Sequence, residues 1–295
     1  MKIKFRKTLL FITLTFLFSY LLAVLYYLSS GRVAGIDGLV LAISYMFIPM
    51  TTTIIIQKFI YRESLKELGI SFKLNKWFLA AWLLPLLIAF LTFAISLLFP
   101  GIQYTPNMEG IIERYQSTLT QEQIEQIKNQ ITASPIHPIY IAIIQGLIAG
   151  ITINAVAGFG EELGWRGFLL KQLEHLGFWR SSLVIGITWG LWHAPLIIQG
   201  YNYPEHPLPG VFMMAIFTLL LSPIFSYIRI KAKSVIAAAI MHGSLNGTYG
   251  ISIMLIKGGN DLTTGEMGLP GFIALAMINL ALFFYDRKIE KEHVM

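Results

Sequence analysis

The stretch WFLAAWLLPLLIAFLTFAISLLF, residues 77–99, does not contain one charged side chain. A helix that crosses the hydrocarbon core of a bilayer needs roughly 20 mostly apolar residues. This segment is therefore long enough and apolar enough to be a membrane-spanning helix. Lys76 before it and Pro100 after it mark its limits.

The whole chain has the composition of a membrane protein. Hydrophobic residues make up 55% of its 295 positions, charged residues make up 13%, and the mean hydropathy is +0.65. A soluble domain usually carries about 25% charged residues, so much of this surface must face lipid. Cysteine does not occur, which excludes disulfides, thiolate metal sites and a cysteine nucleophile. The sequence shows no repeat and no linker, and we predict a single membrane domain over residues 1–295.

Seven further segments are like 77–99, and together they predict an all-α polytopic membrane bundle of about eight transmembrane helices. The predicted spans are 8–29, 38–60, 77–99, 138–158, 181–200, 209–228, 234–256 and 269–285. A secretory signal peptide is the alternative for the first span, because four basic residues precede it. Its apolar run is long for a signal peptide, and Ser29-Ser30-Gly31 is a poor cleavage site. We therefore expect a retained anchor.

The distribution of Lys and Arg orients these spans. With the N-terminus in the cytoplasm, only four of the 22 Lys and Arg residues fall in outside loops: Arg32, Arg114, Lys128 and Lys257. Cytoplasmic loops of membrane proteins carry an excess of Lys and Arg, and a miscounted span would invert every later loop. We predict a multi-pass protein of the cell membrane with both termini cytoplasmic. The net charge of +6 is then a topology signal, and no nucleic-acid partner is expected.

The one long loop, residues 100–138, is predicted to lie outside. Thr120 and Gln123 form a capping-box pattern at the start of a helix. The apolar face of that helix begins at Ile124. We expect the helix to rest on the membrane surface.

Polar residues in or beside the predicted spans, all but one of them ionisable, gather at three places. They are Glu161, Glu162 and Arg166 after the fourth span, His193 in the fifth, and His242 with Asn246 in the seventh. An ionisable side chain at mid-bilayer costs roughly 2.5 to 3.5 kcal/mol, so each one is a functional hypothesis by default. At the helical rise per residue, His193 lies about 18 Å and His242 about 12 Å from the cytoplasmic helix ends. These depths predict one polar chamber that opens inward, provided that the fourth helix bends or begins deeper.

Helical spacing separates the two carboxylates. Glu162 and Arg166 are four residues apart with Glu first, the favoured direction for an ion pair on one helix face, and we expect this pair to support the site structurally. Glu161 points about 100° away and is expected to have no such partner, which leaves its carboxylate free for chemistry. His242 and Asn246 are also four apart and share a face.

Small and aromatic residues surround these positions. Five glycines are expected to allow close approach of the helices: Gly158, Gly160, Gly164, Gly190 and Gly243. Trp189 lies four residues before His193 and is expected to wall its imidazole. The structural alternative for each intramembrane His is a satisfied hydrogen bond between helices.

In their order and spacing these residues resemble three motifs of one family. Glu161-Glu162-Leu163-Gly164-Trp165-Arg166 matches the EExxxR motif of the CPBP family, the CAAX proteases and bacteriocin-processing enzymes, also called the Abi family. The stretch 189–193 resembles its FxxxH motif with Trp in place of Phe, and 242–246 resembles its HxxxN motif. The resemblance covers a catalytic core of about residues 140–256.

The resemblance implies an eight-helix intramembrane endopeptidase. Such an enzyme hydrolyses peptide bonds of membrane-associated peptides or proteins with glutamate-activated water. By this analogy Glu161 is the general base, and His193 positions the water or moves its proton. His242 and Asn246 stabilise the tetrahedral oxyanion, a role in which one donor is worth about 2.7 to 4 kcal/mol.

Two alternatives stay open. Glu161, His193 and His242 form a His2Glu set, which suits catalytic zinc. We expect no cofactor, because Asn246 makes better sense in an oxyanion hole than beside a metal. The alternative function is a non-catalytic membrane immunity or binding factor, acting in bacteriocin or phage resistance. The complete set of motif residues weighs against it.

The substrate is not specified by these patterns. The family resemblance offers prenylated CAAX proteins, leader peptides of secreted bacteriocins and other membrane-associated peptides. The chain is rich in Lys and Ile and free of Cys, which suggests a bacterium, where prenylated CAAX substrates are less expected.

Overall fold

The protein is a bundle of apolar helices, and the computed structural model describes residues 2–29, 36–108, 110, 112 and 120–295. In chain order the described α-helices are α1 (Lys2–Leu28), α2 (Ile36–Ile54), α3 (Lys76–Ser96), α4 (Gln121–Ala133), α5 (Pro138–Ile151), α6 (Ile153–Glu162), α7 (Leu170–Leu173), α8 (Phe178–Trp192), α9 (Ala194–Ile198), α10 (Pro207–Ala232), α11 (Val235–Thr248), α12 (Ile251–Met254) and α13 (Leu269–Lys288). The π-helical stretches Ile55–Ile60 and Leu163–Leu169 continue α2 and α6. Short 3-10 helices cover Leu65–Leu68 and Glu174–Leu176.

Among the described residues, six helices are long and apolar enough to cross a membrane, or seven if the bent pair of α5 and α6 is one span. This confirms the all-α polytopic class, whereas the count of eight is not confirmed. The difference lies in the predicted span 234–256, where α11 ends at Thr248 and the one-turn α12 follows. Helix α11 packs against α3, α5 and α6. Because its neighbours are protein rather than lipid, this helix does not need a uniformly apolar surface.

The outer surface of the bundle is apolar. Helix α1 exposes Leu17, Leu21 and Leu25 on one side and buries Phe11 and Ser19 on the other. Lipid tails are as apolar as leucine, so the exposed side suits contact with the bilayer. The main core cluster runs from α1 through the π-helix 163–169 to α10 and α11.

Basic segments meet at one end of the bundle. Lys4 in α1 pairs with Glu174 at 2.7 Å, and Lys231 in α10 lies 3.6 Å from Glu290 after α13. The start of α1 therefore lies beside the 3-10 helix after α7, and the ends of α10 and α13 lie side by side. The topology prediction places all of these segments inside, and their convergence on one face agrees with it. That this face is cytoplasmic stays a prediction.

The opposite end carries the long loop. Strands β1 (Gln103–Tyr104) and β2 (Ile256–Lys257) pair antiparallel there. The capping box at α4 is confirmed, because the Gln123 backbone N–H donates to Thr120 Oγ1 at 3.2 Å and the Gln123 side chain accepts from the Thr120 N–H at 2.9 Å. Arg32 and Arg114, two of the basic residues predicted outside, lie outside the described residues.

The fourth predicted span is bent by 49° between α5 and α6. Thr152 stands at the break with φ −119° and ψ −107°, which is not helical. Its hydroxyl donates to the carbonyl of Ile148 at 2.7 Å. The predicted polar chamber required the fourth helix to bend or to begin deeper in the membrane, and the bend is present. It carries α6 into the bundle, so that Glu161 and Glu162 lie buried at its end.

Candidate active site

The site is built at the junction of α6 with a π-helix. Helix α6 ends at Glu162, and Leu163–Leu169 continues with π geometry. Single π-helical turns are rare and occur frequently at functional sites. As whole residues, Glu161, Glu162 and Arg166 are at most 2% exposed. Three ionisable groups are therefore enclosed within six residues of chain.

Helices α6 and α11 touch through their glycines. A Cβ on Gly158 would lie 3.0 Å from the Cβ of His242, and a Cβ on Gly243 would lie 2.5 Å from the backbone N of Ala155. A side chain at either position would push the helices apart and carry His242 away from the carboxylates. The close approach predicted at the other three glycines is also confirmed, since a Cβ there would meet a neighbouring element at 2.5 to 2.7 Å.

Glu162 has two partners rather than one. The predicted ion pair with Arg166 is confirmed, because Arg166 Nη1 donates to both carboxylate oxygens at 3.0 and 3.1 Å. His242 Nδ1 also lies 2.8 Å from Glu162 Oε1. A carboxylate only accepts, so Nδ1 carries the proton. Glu162 thereby orients the imidazole of α11 as well as neutralising Arg166, and the spacing of the sequence did not predict this contact.

The Arg166 guanidinium is held between two aromatic rings. Its central carbon lies 4.4 Å from the ring centroid of Trp189 and 4.6 Å from that of Phe225. An arginine over an aromatic face gains cation–π stabilisation, which grows when the groups are removed from water. The rings thus fix the ion pair from both sides.

Among the described residues Glu161 has no Lys or Arg partner, as expected, but its carboxylate accepts hydrogen bonds that helical spacing did not predict. Its Oε2 accepts the indole N–H of Trp189 at 2.6 Å and that of Trp165 at 3.4 Å. Trp165 lies one turn further along the chain and Trp189 comes from α8, so both indoles converge on one oxygen. The other oxygen, Oε1, faces His242 Nε2 across 3.9 Å. Neutral donors hold one side of the carboxylate, and its second oxygen is directed at an imidazole.

His193 follows the last residue of α8 and is half-buried. Its Nδ1 lies 2.8 Å from the carbonyl oxygen of Trp189, so Nδ1 carries the proton and Nε2 of the neutral ring is left as an acceptor. The predicted aromatic wall is confirmed, with the Trp189 and His193 rings 6.0 Å apart. The ring of His242 lies 5.7 Å from the same indole. Glu161, His193 and His242 therefore gather around Trp189.

Asn246 is placed differently. It lies one turn after His242 on α11, but its side chain is exposed whereas His242 is 4% exposed. Within the described residues, no hydrogen bond joins Asn246 to the other candidate residues. Its role as an oxyanion donor stays a prediction.

The zinc alternative finds no matching donor geometry. In the described part of the chain, no group of three or more His, Asp or Glu residues is arranged to hold a metal ion. Glu161 Oε1 and His242 Nε2 are 3.9 Å apart, whereas two ligands about 2.0 to 2.1 Å from a tetrahedral zinc lie roughly 3.4 Å apart. Metal dependence therefore stays a matter for measurement.

The first two helices support the site, although they carry none of the motifs. Trp192 Nε1 donates to Ser19 Oγ of α1 at 2.7 Å, and the Tyr45 hydroxyl of α2 donates to the Trp192 carbonyl at 2.7 Å. Trp192 in turn packs edge-on against His193 at 4.7 Å. Polar Ser19 and Tyr45 within apolar spans were the available signal in the sequence.

Comparison with known proteins identifies the same segment. A family model described as type II CAAX prenyl endopeptidase Rce1-like matches residues 136–248. The chain is also 31% identical over 139 residues to the CAAX prenyl protease 2 of Methanococcus maripaludis. That alignment covers 44% of this chain and 46% of the relative, so the chain spans about half the length of the relative that it matches. The matched segment contains all three motifs, and over this segment the chain is similar to CAAX-protease-like membrane proteins of the CPBP family.

Proposed function

We propose that the chain is an intramembrane endopeptidase in which Glu161 activates water to hydrolyse a peptide bond of a membrane-associated peptide or protein. One observation carries the proposal: a buried carboxylate has one oxygen held by two indole N–H groups and the other facing an imidazole nitrogen at 3.9 Å. The family match to CAAX endopeptidases supports the same reaction class.

The 3.9 Å separation suits a shared water molecule. Two atoms at this distance can both lie about 2.8 Å from one water oxygen, within normal hydrogen-bond length. A water in that position donates to Glu161 Oε1 and accepts from His242 Nε2. This requires His242 as imidazolium, and the carboxylates of Glu161 and Glu162 on either side of the ring favour that charge.

The reaction then follows general acid–base logic. Glu161 takes one proton of the water as its oxygen attacks the scissile carbonyl carbon. The carbonyl oxygen becomes an oxyanion that accepts a hydrogen bond from Asn246 and, once the water oxygen has bonded to carbon, one from the Nε2–H of His242. The tetrahedral intermediate collapses, the C–N bond breaks, and the leaving amine receives the proton from Glu161. His193, with Nε2 as an acceptor, positions the attacking water.

The first experiment compares Glu161→Gln with Glu125→Gln, an exposed Glu→Gln control on α4. The amide oxygen of the Gln can still accept both indole N–H groups, so the fold is retained while the base is lost. Purified full-length protein is assayed on a pool of membrane-protein peptides. We expect cleavage by wild type and by the control, and loss of cleavage in Glu161→Gln. Full activity of Glu161→Gln would overturn the assignment.

The substrate class is tested with a matched pair of peptides. The name of the relative refers to prenylated CAAX proteins, so one CAAX peptide is prepared with and without its prenyl group. We expect cleavage that does not require the prenyl group. Cleavage restricted to the prenylated peptide would narrow the substrate to that class. Binding without cleavage of any peptide would instead favour the immunity or binding factor.

A further inference from the structure

A cavity lies at the basic end of the bundle. Its volume is about 500 Å³. It is bounded by the π-helix, α7, the start of α8 and the end of α10, and the tail residue Val294 closes one side. None of the four candidate catalytic residues lines it.

The charges around this cavity are unbalanced. It is lined by the cations Arg166, Lys171, Arg229 and Lys233 and by the anions Glu67 and Glu174. Each of the two acids already has a lysine partner, because Lys171 pairs with Glu67 at 2.5 Å and Lys4 pairs with Glu174 at 2.7 Å. Among the described residues, Arg229 and Lys233 form no ion pair. The cavity therefore presents uncompensated positive charge.

Both arginines hold N–H groups without an acceptor. Arg229 donates from Nη2 to the Leu68 carbonyl at 3.0 Å, but its buried Nε has no partner in the described residues. Arg166 is 1% exposed; its Nη1 serves Glu162, while Nε and Nη2 lack acceptors in the same part of the chain. Buried donors of this kind cost free energy when they are left unmatched. Arg166 is enclosed between two rings, whereas Arg229 is half-buried, so a ligand with acceptor oxygens would match the free Nε of Arg229.

The start of α8 adds a further set of donors. Gly177 and Phe178 line the cavity, and the 15-residue helix that begins there has no side-chain cap. The first N–H groups of a helix have no partner within it, and its dipole favours an anion at that end. Gly177 leaves this terminus open, since a Cβ there would have nothing within 4 Å.

We propose that this cavity binds a phosphate group. A tetrahedral anion with several acceptor oxygens suits the Arg229 guanidinium, the Lys233 ammonium and the uncapped helix N-terminus. The group can come from the head group of an anionic phospholipid or from soluble phosphate. Basic pockets between membrane helices on the cytoplasmic side take lipid head groups, and the topology prediction puts this end of the bundle on that side.

The test uses the purified full-length protein and two sources of phosphate. Thermal unfolding is followed by Trp fluorescence with inorganic phosphate or with chloride at equal ionic strength. In parallel, it is followed in nanodiscs of phosphatidylglycerol or of phosphatidylcholine. A higher unfolding temperature in phosphate than in chloride indicates that the protein binds phosphate. A higher unfolding temperature in phosphatidylglycerol than in phosphatidylcholine indicates that a lipid head group can supply it.

The variants decide whether the cavity is responsible. Arg229→Gln with Lys233→Asn removes both unpaired charges, and Lys73→Gln with Arg180→Gln removes two exposed charges of the same end as a control. Hydrogen bonds to charged groups are worth enough to expect at least about tenfold weaker phosphate binding in the first pair alone. Lys233 has φ +54°, a conformation that Asn tolerates, so Lys233→Asn by itself remains informative if the pair does not fold.

Three results would overturn the proposal. Equal stabilisation by phosphate and chloride would mean that ionic strength, and not phosphate binding, stabilises the protein. Equally weakened phosphate binding in the control pair would mean that phosphate responds to the general charge of this surface and not to the cavity. Binding of acetate as tight as that of phosphate would replace a phosphate site by a carboxylate site.

Discussion

The two adjacent glutamates are expected to respond in opposite ways to the same isosteric change. Glu162→Gln leaves an amide that accepts through one oxygen only, while its NH2 group faces Arg166 or His242, both of which donate to Glu162 in the native structure. Arg166 is then a buried cation without a counter-charge. Removing one partner of a buried pair costs about 3 to 5 kcal/mol. We therefore expect Glu162→Gln to lose that much of its free energy of unfolding.

Glu161→Gln is the matched comparison. Its two native hydrogen bonds come from indole N–H groups to one oxygen, and the amide oxygen of Gln can accept both. No salt bridge to a Lys or Arg is broken, so the free energy of unfolding should change by about 1 kcal/mol or less. We therefore expect a loss of stability in Glu162→Gln and a loss of peptidase activity in Glu161→Gln.

Denaturant-induced unfolding in detergent micelles, followed by Trp fluorescence, measures both variants. The chain has six Trp and no Cys, so thiol-reactive dyes are not an option, and two of the indoles contact Glu161 directly. The double variant Glu162→Gln with Arg166→Met removes both charges and should recover part of the loss. Glu162 does not have the proposed structural role if Glu162→Gln is as stable as wild type, or if Glu161→Gln is the less stable of the two variants.

Three further measurements test the proposal and the fold. Peptidase activity should survive exhaustive chelation, and Asn246→Ala should lower kcat about a hundredfold with little change in KM; loss and return of activity with stoichiometric zinc would contradict this. Reporters fused after Lys171 should behave as cytoplasmic and those after Gln130 as external, and either one reversed breaks the topology. Burial raises the pKa of Glu266, whose carboxyl oxygens have no hydrogen-bond partner among the described residues. The folded state therefore binds this proton more tightly, and stability falls by up to about 1.4 kcal/mol per pH unit as pH rises above the unfolded pKa. Glu266→Gln should flatten that slope, and an unchanged slope would exclude Glu266 as its source.

Local patterns in the sequence were sufficient for features that depend on neighbouring residues. The capping box of Thr120 and Gln123 and the ion pair of Glu162 and Arg166 each involve residues three or four apart, where helical geometry alone decides the contact. The charge distribution also predicted which loops share an end of the bundle. These features need no knowledge of tertiary packing.

Contacts between helices could not be read in the same way. The bond between His242 and Glu162 and the indole bond of Trp189 to Glu161 depend on how α6, α8 and α11 are rotated against each other. Spacing within one helix shows which residues share a face, but it does not show which neighbouring helix that face contacts. For the same reason, the shared face of His242 and Asn246 suggested a joint role, whereas the structure buries one and exposes the other.

The predicted span 234–256 shows a limit of hydropathy. Its apolar residues suggested a helix that crosses the membrane, but α11 ends at Thr248 and is enclosed by other helices. A buried helix and a membrane-spanning helix are both apolar, and composition alone does not separate them.

The hydrogen bond between Glu162 and His242 joins positions 80 residues apart, and this separation has a consequence for biosynthesis. The ribosome delivers Glu161, Glu162 and Arg166 to the membrane well before α11 is made. During that interval the two carboxylates have no imidazole beside them, and only the local pair with Arg166 offsets the buried charge. The proposed water site forms when α11 settles against the glycines of α6. Under the proposed mechanism, a nascent or truncated chain that ends before α11 lacks His242 and is therefore inactive.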